Sequence, residues 1–156
     1  MSHPLRVLFL CTGNSARSQM AEAILRHVGK GAIEVESAGT LPQHDIHPMA
    51  RRAAKKLLDF DMNGQYPKTL DRFLGQDFDY VITVCDRAAE SCPVFPGDPE
   101  RIHWSFEDPA AAIGTDEEKQ RGFDATATQL LSRIRLWLSL SALRSRLEQA
   151  ASAPGR

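Results

Sequence analysis

Cysteine is scarce in this chain and tyrosine scarcer, with three of one and two of the other among 156 residues. So few cysteines, in odd number, cannot form the disulfide framework that staples small secreted domains. Each is therefore a core residue, a ligand or a reactive thiol. A surplus of either charge is also missing: 19 Lys and Arg balance 20 Asp and Glu. That removes the global basic field that draws proteins to nucleic acid or acidic membranes. No segment approaches the roughly 18 apolar residues of a membrane span. The first residues, MSHPLRVLFLC, hold only a short apolar run and lack the parts of a signal peptide, so a cytoplasmic location is expected. Internal repeats, low-complexity tracts and interdomain linkers are absent as well. What remains is 42% apolar and 25% charged, ordinary for one globular domain with a core of its own. That domain is expected over 1–148, with the small, polar QAASAPGR (149–156) as a flexible tail.

Hydrophobic periodicity orders the chain as alternating strands and helices. RVLFL (6–10) reads as a buried strand. Met20, Ile24, Leu25 and Val28 recur at helical spacing until Gly29 and Gly31 stop them. Ile33–Glu36 alternates like a second strand and runs into a turn-like SAGT. Pro48 opens a helix with Met49, Ala53, Leu57 and Leu58 on one face. Tyr80–Cys85 is the clearest strand and Arg101–Phe106 a weaker fourth. Thr115 with Glu118 predicts a capping box, followed by a stripe of Phe123, Ala127, Leu130, Ile134 and Trp137. Continued to Leu147, that helix would span on the order of 48 Å, so a break is expected near Leu138–Ser141. The alternation implies an α/β fold, a parallel sheet covered by helices. Ligands then bind beyond the C-terminal strand ends, where both Cys11 and Cys85 fall.

The stretch CTGNSARS (11–18) carries the chemistry. Free cysteine is often a small core hydrophobe, and Cys-x5-Arg spacing alone does not overturn that reading. The context does. The pattern lies in a strand-to-helix turn, and Thr12, Gly13, Asn14, Ser15 and Ala16 are all small enough for the chain to wrap closely. Successive N–H groups pointing inward at a helix N-terminus bind a tetrahedral oxyanion. Arg17 can grip two of its oxygens with a planar fork. Asn14 and the Ser18 hydroxyl are placed to fix the loop and to donate to the sulfur. These surroundings are expected to lower the Cys11 pKa into the range of roughly 3.5–7.5 and make it a nucleophile. A nucleotide-binding P-loop is excluded, because GNSARS lacks the GK[ST] ending.

CTGNSARS, the SAGT that follows the second strand, and FEDPA (106–110) together resemble the low-molecular-weight tyrosine phosphatase superfamily, and more closely its thioredoxin-coupled arsenate reductase branch. The likeness runs in order from Arg6 to about Leu140. It implies a three-layer sandwich, a four-stranded parallel sheet with helices on both faces. It also implies that Asp108, by itself an ordinary turn former before proline, is the general acid that protonates the leaving oxygen. Relatives that act on phosphotyrosine carry tyrosines beside this Asp. Here Ala110, Ala111 and Ala112 follow, which points to a small inorganic oxyanion.

Cys85 and Cys92 have open readings of their own. They could be a strand-end core residue and a stray thiol. A zinc site with Cys11, His44, His47 or His103 is a weaker alternative, since no C-x2-C pair exists. The resemblance assigns them a redox relay: Cys11 attacks arsenic, Cys85 attacks Cys11 and releases arsenite, and Cys92 resolves the disulfide to Cys85–Cys92, which thioredoxin reduces. If residues 86–91 were helical, Cys85 and Cys92 would lie about 10.5 Å apart along the axis. A disulfide needs Cα atoms at roughly 4.4–6.8 Å, so the segment must rearrange. Some relatives hold potassium near positions equivalent to Asn14, Glu22, Ser37 and 64–68. Lys68 falls there and cannot ligate a cation, so no metal and no resident cofactor are expected. The alternatives are a tyrosine phosphatase whose extra thiols protect Cys11, and a non-enzymatic oxyanion sensor or adaptor.

Overall fold

The computed structural model describes residues 4–59 and 61–151. Its order is β1 (Leu5–Cys11), α1 (Arg17–Gly29), β2 (Ile33–Gly39), α2 (Pro48–Leu58), β3 (Tyr80–Thr83), α3 (Asp86–Glu90), β4 (Glu100–His103), α4 (Asp116–Leu138) and α5 (Ser141–Ala151). The four strands form one parallel sheet in the order β2-β1-β3-β4. Val7, Leu8, Phe9 and Leu10 are all fully buried, so β1 is covered on both faces, the condition of a three-layer α/β sandwich. Strand order changes direction at β1. Its C-terminal end, and that of β3 beside it, open onto the crevice where such sheets bind ligands.

Locally encoded features lie where the sequence places them. Thr115 and Glu118 close the capping box at the start of α4, and Phe123, Ala127, Leu130, Ile134 and Trp137 are its buried stripe. α4 stops at Leu138 and α5 restarts at Ser141, the expected break. α5 runs through Ala151, so three residues of the expected tail are helical; residues 152–156 lie outside the described ones.

Three boundaries differ. Ser37, Ala38 and Gly39 are strand, paired with Phe9, Leu10 and Cys11, rather than a turn. Their smallness serves close approach: a Cβ on Gly39 would sit 2.5 Å from the Thr12 carbonyl oxygen. β3 and β4 end earlier than read, at Thr83 and His103, because the chain leaves the sheet to build the loops of the crevice. The face that α2 buries fully is Ala50, Ala53 and Ala54, with Met49, Leu57 and Leu58 only partly covered. These small side chains let α2 pack against both α1 and α4.

Candidate active site

Residues 11–16 wrap tightly between β1 and α1, and their carbonyls are all turned to other partners. The Cys11, Thr12, Gly13 and Ser15 carbonyls accept from the N–H groups of Thr40 (3.2 Å), Leu41 (2.9 Å), Gln43 (2.8 Å) and His47 (2.9 Å). The Asn14 carbonyl accepts from Gln19 Nε2 at 3.1 Å, and that of Ala16 from the Met20 N–H at 2.8 Å. With the acceptors so occupied, the N–H groups are the backbone polar groups left to line the hollow, which is what an anion requires. Asn14 takes the left-handed conformation that this wrap needs, φ 48°, a region asparagine tolerates better than most residues.

The side chain of Asn14 organises the floor. Its Nδ2 donates to Ser18 Oγ (2.8 Å) and to Ser37 Oγ (2.9 Å). Its Oδ1 accepts from the Lys68 N–H (2.8 Å) and from Gln19 Nε2 (3.0 Å). Ser18 Oγ therefore already accepts a hydrogen bond, and its own hydroxyl is left to donate to Cys11 Sγ, 2.8 Å away. The Asn14 N–H adds a second donor to that sulfur at 3.2 Å. Farther down, Ser37 Oγ donates to Glu22 Oε1 at 2.6 Å. The ammonium of Lys68, itself buried, stands 3.6 Å from the same oxygen. Lys68 thus places an ammonium beside the loop. Among the described residues no group of three or more His, Cys, Asp and Glu could hold a metal.

Cys11 departs from expectation in one respect. Its thiol is 3% exposed, and burial pushes its pKa up, against the hydrogen bonds from Ser18 and Asn14 that pull it down. The lowering expected from Arg17 is missing because that guanidinium is turned elsewhere. Nη1 donates to the Phe106 carbonyl (2.9 Å) and Nη2 lies 3.8 Å from Asp108 Oδ2. Burial thus works in favour of the neutral thiol. Removing the Ser18 hydroxyl takes away the largest opposing influence. Ser18→Ala is expected to move the Cys11 titration further up, because a hydrogen bond to the charged form is lost. Thiolate absorbance against pH checks this; an unchanged midpoint would mean that Ser18 does not donate to the sulfur.

Asp108 is the turn former that its place before proline allows, and it faces the cleft as well. Oδ1 caps the short 3₁₀ turn Pro109–Ala111 by accepting from the Ala110 N–H at 3.0 Å, while the residue lines the same cleft as Cys11. That cleft encloses about 950 Å³ and is bounded by residues 11–17, Cys85 and Asp108. Ser18 lies beneath it, fully buried, and Cys92 lies outside its lining. Cys85 approaches Thr12, whose Oγ1 is 3.5 Å from Cys85 Sγ. All three cysteines are unpaired.

Sequence reasoning missed the segment 40–47, which straps the loop from outside and adds Gln43, His44 and His47 to the cleft, together with Asp86 and Arg87 of α3. His47 is the N-cap of α2, accepting from the Met49 N–H at Nδ1 (3.1 Å), and it stacks on Phe123 at 4.5 Å. Burial and then the Arg52 cation lower its pKa against the pull of Asp108. Both influences favour the neutral ring, whose Nδ1 accepts from Met49. Among the described residues no phenylalanine, tyrosine or tryptophan lines the cleft. Tyr66 instead pairs with Arg72 (2.6 Å), and Tyr80 is buried against Trp137.

A cysteine and an arginine flanking an anion-binding loop, with an Asp-Pro loop opposite, on a four-stranded parallel sheet, define the class. Residues 6–149 match the low molecular weight phosphotyrosine protein phosphatase family, and the chain belongs to it. Its relatives within that family include arsenate reductases. That of Halalkalibacterium halodurans is 43% identical over 129 residues, which are 83% of this chain and 91% of the relative. The solved structure of an arsenate reductase in the phosphate-binding state superposes with a TM-score of 0.68 at 28% identity, covering 86% of this chain and 97% of the other. The Corynebacterium glutamicum thioredoxin-dependent arsenate reductase superposes with a TM-score of 0.61 at 31% identity, covering 87% of this chain and 64% of the other.

Proposed function

We propose that this protein reduces arsenate to arsenite, with Cys11, Cys85 and Cys92 passing the electrons and thioredoxin restoring the thiols. One observation carries the reading beyond simple ester hydrolysis. A second thiol, Cys85, stands on the wall of the oxyanion cleft beside Thr12, within the same pocket as Cys11. Hydrolysis through a phosphocysteine has no use for it. Reduction by two electrons does. The cleft without an aromatic wall suits a small inorganic oxyanion, and the named activities of the relatives agree.

The steps balance as follows. Cys11 passes its proton to an oxygen of the bound anion and its Sγ bonds to arsenic while one As–O bond breaks, and Asp108 protonates the leaving oxygen so that it departs as water. The buried loop, through its N–H groups and Arg17, holds the remaining oxygens and their charge. Cys85 Sγ then attacks Cys11 Sγ. The S–As bond breaks with its electron pair left on arsenic, which falls from the pentavalent to the trivalent state and leaves as arsenite. Cys92 attacks Cys85, freeing Cys11 and forming the Cys85–Cys92 disulfide. A thioredoxin dithiol returns two electrons and two protons by exchange. No resident metal or cofactor takes part, the role is detoxification, and the place is the cytoplasm. Among the described residues no helix is long and apolar enough to cross a membrane.

The deciding assay measures arsenite formed from arsenate with thioredoxin, its reductase and NADPH, beside hydrolysis of p-nitrophenyl phosphate. Arsenite in step with NADPH oxidation is expected. Ester turnover with no arsenite would overturn the reading in favour of a phosphatase.

A further inference from the structure

The segment between the two outer thiols is held at both ends by the edge strand β4. α3 begins at Asp86, directly after Cys85, and ends at Glu90, two residues before Cys92. Arg101 and His103 stand two apart on β4 and therefore on one face of it. At the near end, His103 Nε2 donates to Asp86 Oδ1 at 2.9 Å, and Ser105 Oγ donates to the same oxygen at 3.4 Å. The imidazole is itself fixed, since Nδ1 bonds Thr83 Oγ1 at 2.8 Å across the β3–β4 pair. At the far end, Arg101 Nη2 donates to the Pro93 carbonyl at 2.8 Å. That is the same carbonyl to which Cys92 Sγ points at 3.7 Å.

We infer that Arg101 and His103 form a two-point clamp that holds residues 86–93 on β4 and keeps Cys92 from pairing with Cys85 until the Cys11–Cys85 bond has formed. The inference rests on the three-thiol relay proposed above and adds what sets its order. α3 cannot do this by itself. A five-residue helix has one full turn and a costly nucleus, so it persists only when its ends are tied down. The side chains that tie it are outside the cleft lining and touch no reacting atom, so Arg101 and His103 are positioning residues. Arg101 has a second influence. Burial raises the pKa of Cys92, and the Arg101 cation opposes that. The clamp therefore holds the resolving thiol at a distance while keeping it available for its step.

The test follows premature pairing in the full chain carrying Cys11→Ser, with glutathione disulfide as oxidant. Cys85 thiolate takes one glutathionyl group and releases glutathione; Cys92 attacks Cys85 Sγ and releases the second. Two electrons pass from the two thiols to the glutathione disulfide. Adding Arg101→Met and His103→Gln is expected to speed Cys85–Cys92 formation about tenfold, the loss of charge-assisted bonds at both ends. Arg101→Lys, which keeps a cationic donor, is expected to stay within about twofold of the parent, a rescue that a merely structural role would not produce. Amide exchange should rise in residues 86–93 and stay unchanged in β1 and α1. If the double variant does not fold, His103→Gln alone carries the same comparison. An unchanged pairing rate would overturn the clamp while leaving the relay intact. A native enzyme that never forms Cys85–Cys92 during arsenate turnover would remove the relay, and the clamp with it.

Discussion

Cys11→Ser is expected to abolish both arsenate reduction and phosphate ester hydrolysis, by at least about a thousandfold in each, because the thiol that bonds to the anion is lost. The serine oxygen is as well placed as the sulfur, with Ser18 Oγ and the Asn14 N–H still beside it. Yet its proton is held far more strongly than a thiol's, and burial that already raises the Cys11 pKa raises the cost of an alkoxide further. The loop survives, since its shape comes from the Asn14 network and the carbonyl bonds to residues 40–47. The variant should therefore still bind arsenate or phosphate. Calorimetric titration with either anion, beside the two activity assays, separates these effects. Substantial arsenite production by Cys11→Ser would sink the covalent mechanism.

Cys92→Ala is expected to leave one turnover and stop the second. Arsenite forms once, equal in amount to the enzyme, and the protein then carries a Cys11–Cys85 disulfide. The geometry supports this split. Cys85 lines the cleft with Cys11, whereas Cys92 is half-buried outside it, beyond α3. Ester hydrolysis needs no redox cycle and should persist in the same variant. Cys92 is not a core residue whose loss opens a large cavity, so stability should change by no more than about 1 kcal/mol. Mass spectrometry of the quenched enzyme reads the trapped bond directly. Repeated turnover with thioredoxin would make Cys92 a bystander.

Much of this protein follows from short-range chemistry. A capping box needs only four consecutive residues, and a buried stripe only a 3.6-residue period. The Thr115–Glu118 start of α4, its stripe from Phe123 to Trp137 and the break before Ser141 are accordingly legible in the chain. So is the place of the anion loop, because a run of small residues between strand and helix marks where the chain can wrap closely. Other features depend on partners far away in sequence. SAG reads as a turn by composition, but pairing with β1 makes it strand, and the approach of Thr12 explains its small residues. The 40–47 strap carries no periodic signal, since it is defined by four carbonyls of another loop. The Lys68–Glu22 floor joins side chains tens of residues apart, and the hold of β4 on α3 joins groups 8 and 17 residues apart. The Cys11 pKa shows the division most clearly. Sequence alone determined which donors surround the sulfur. Tertiary structure decided that Arg17 turns to Phe106 and Asp108 and that the thiol is shut from water. Desolvation then outweighs the local donors, because the cost of a buried charge depends on everything packed around it.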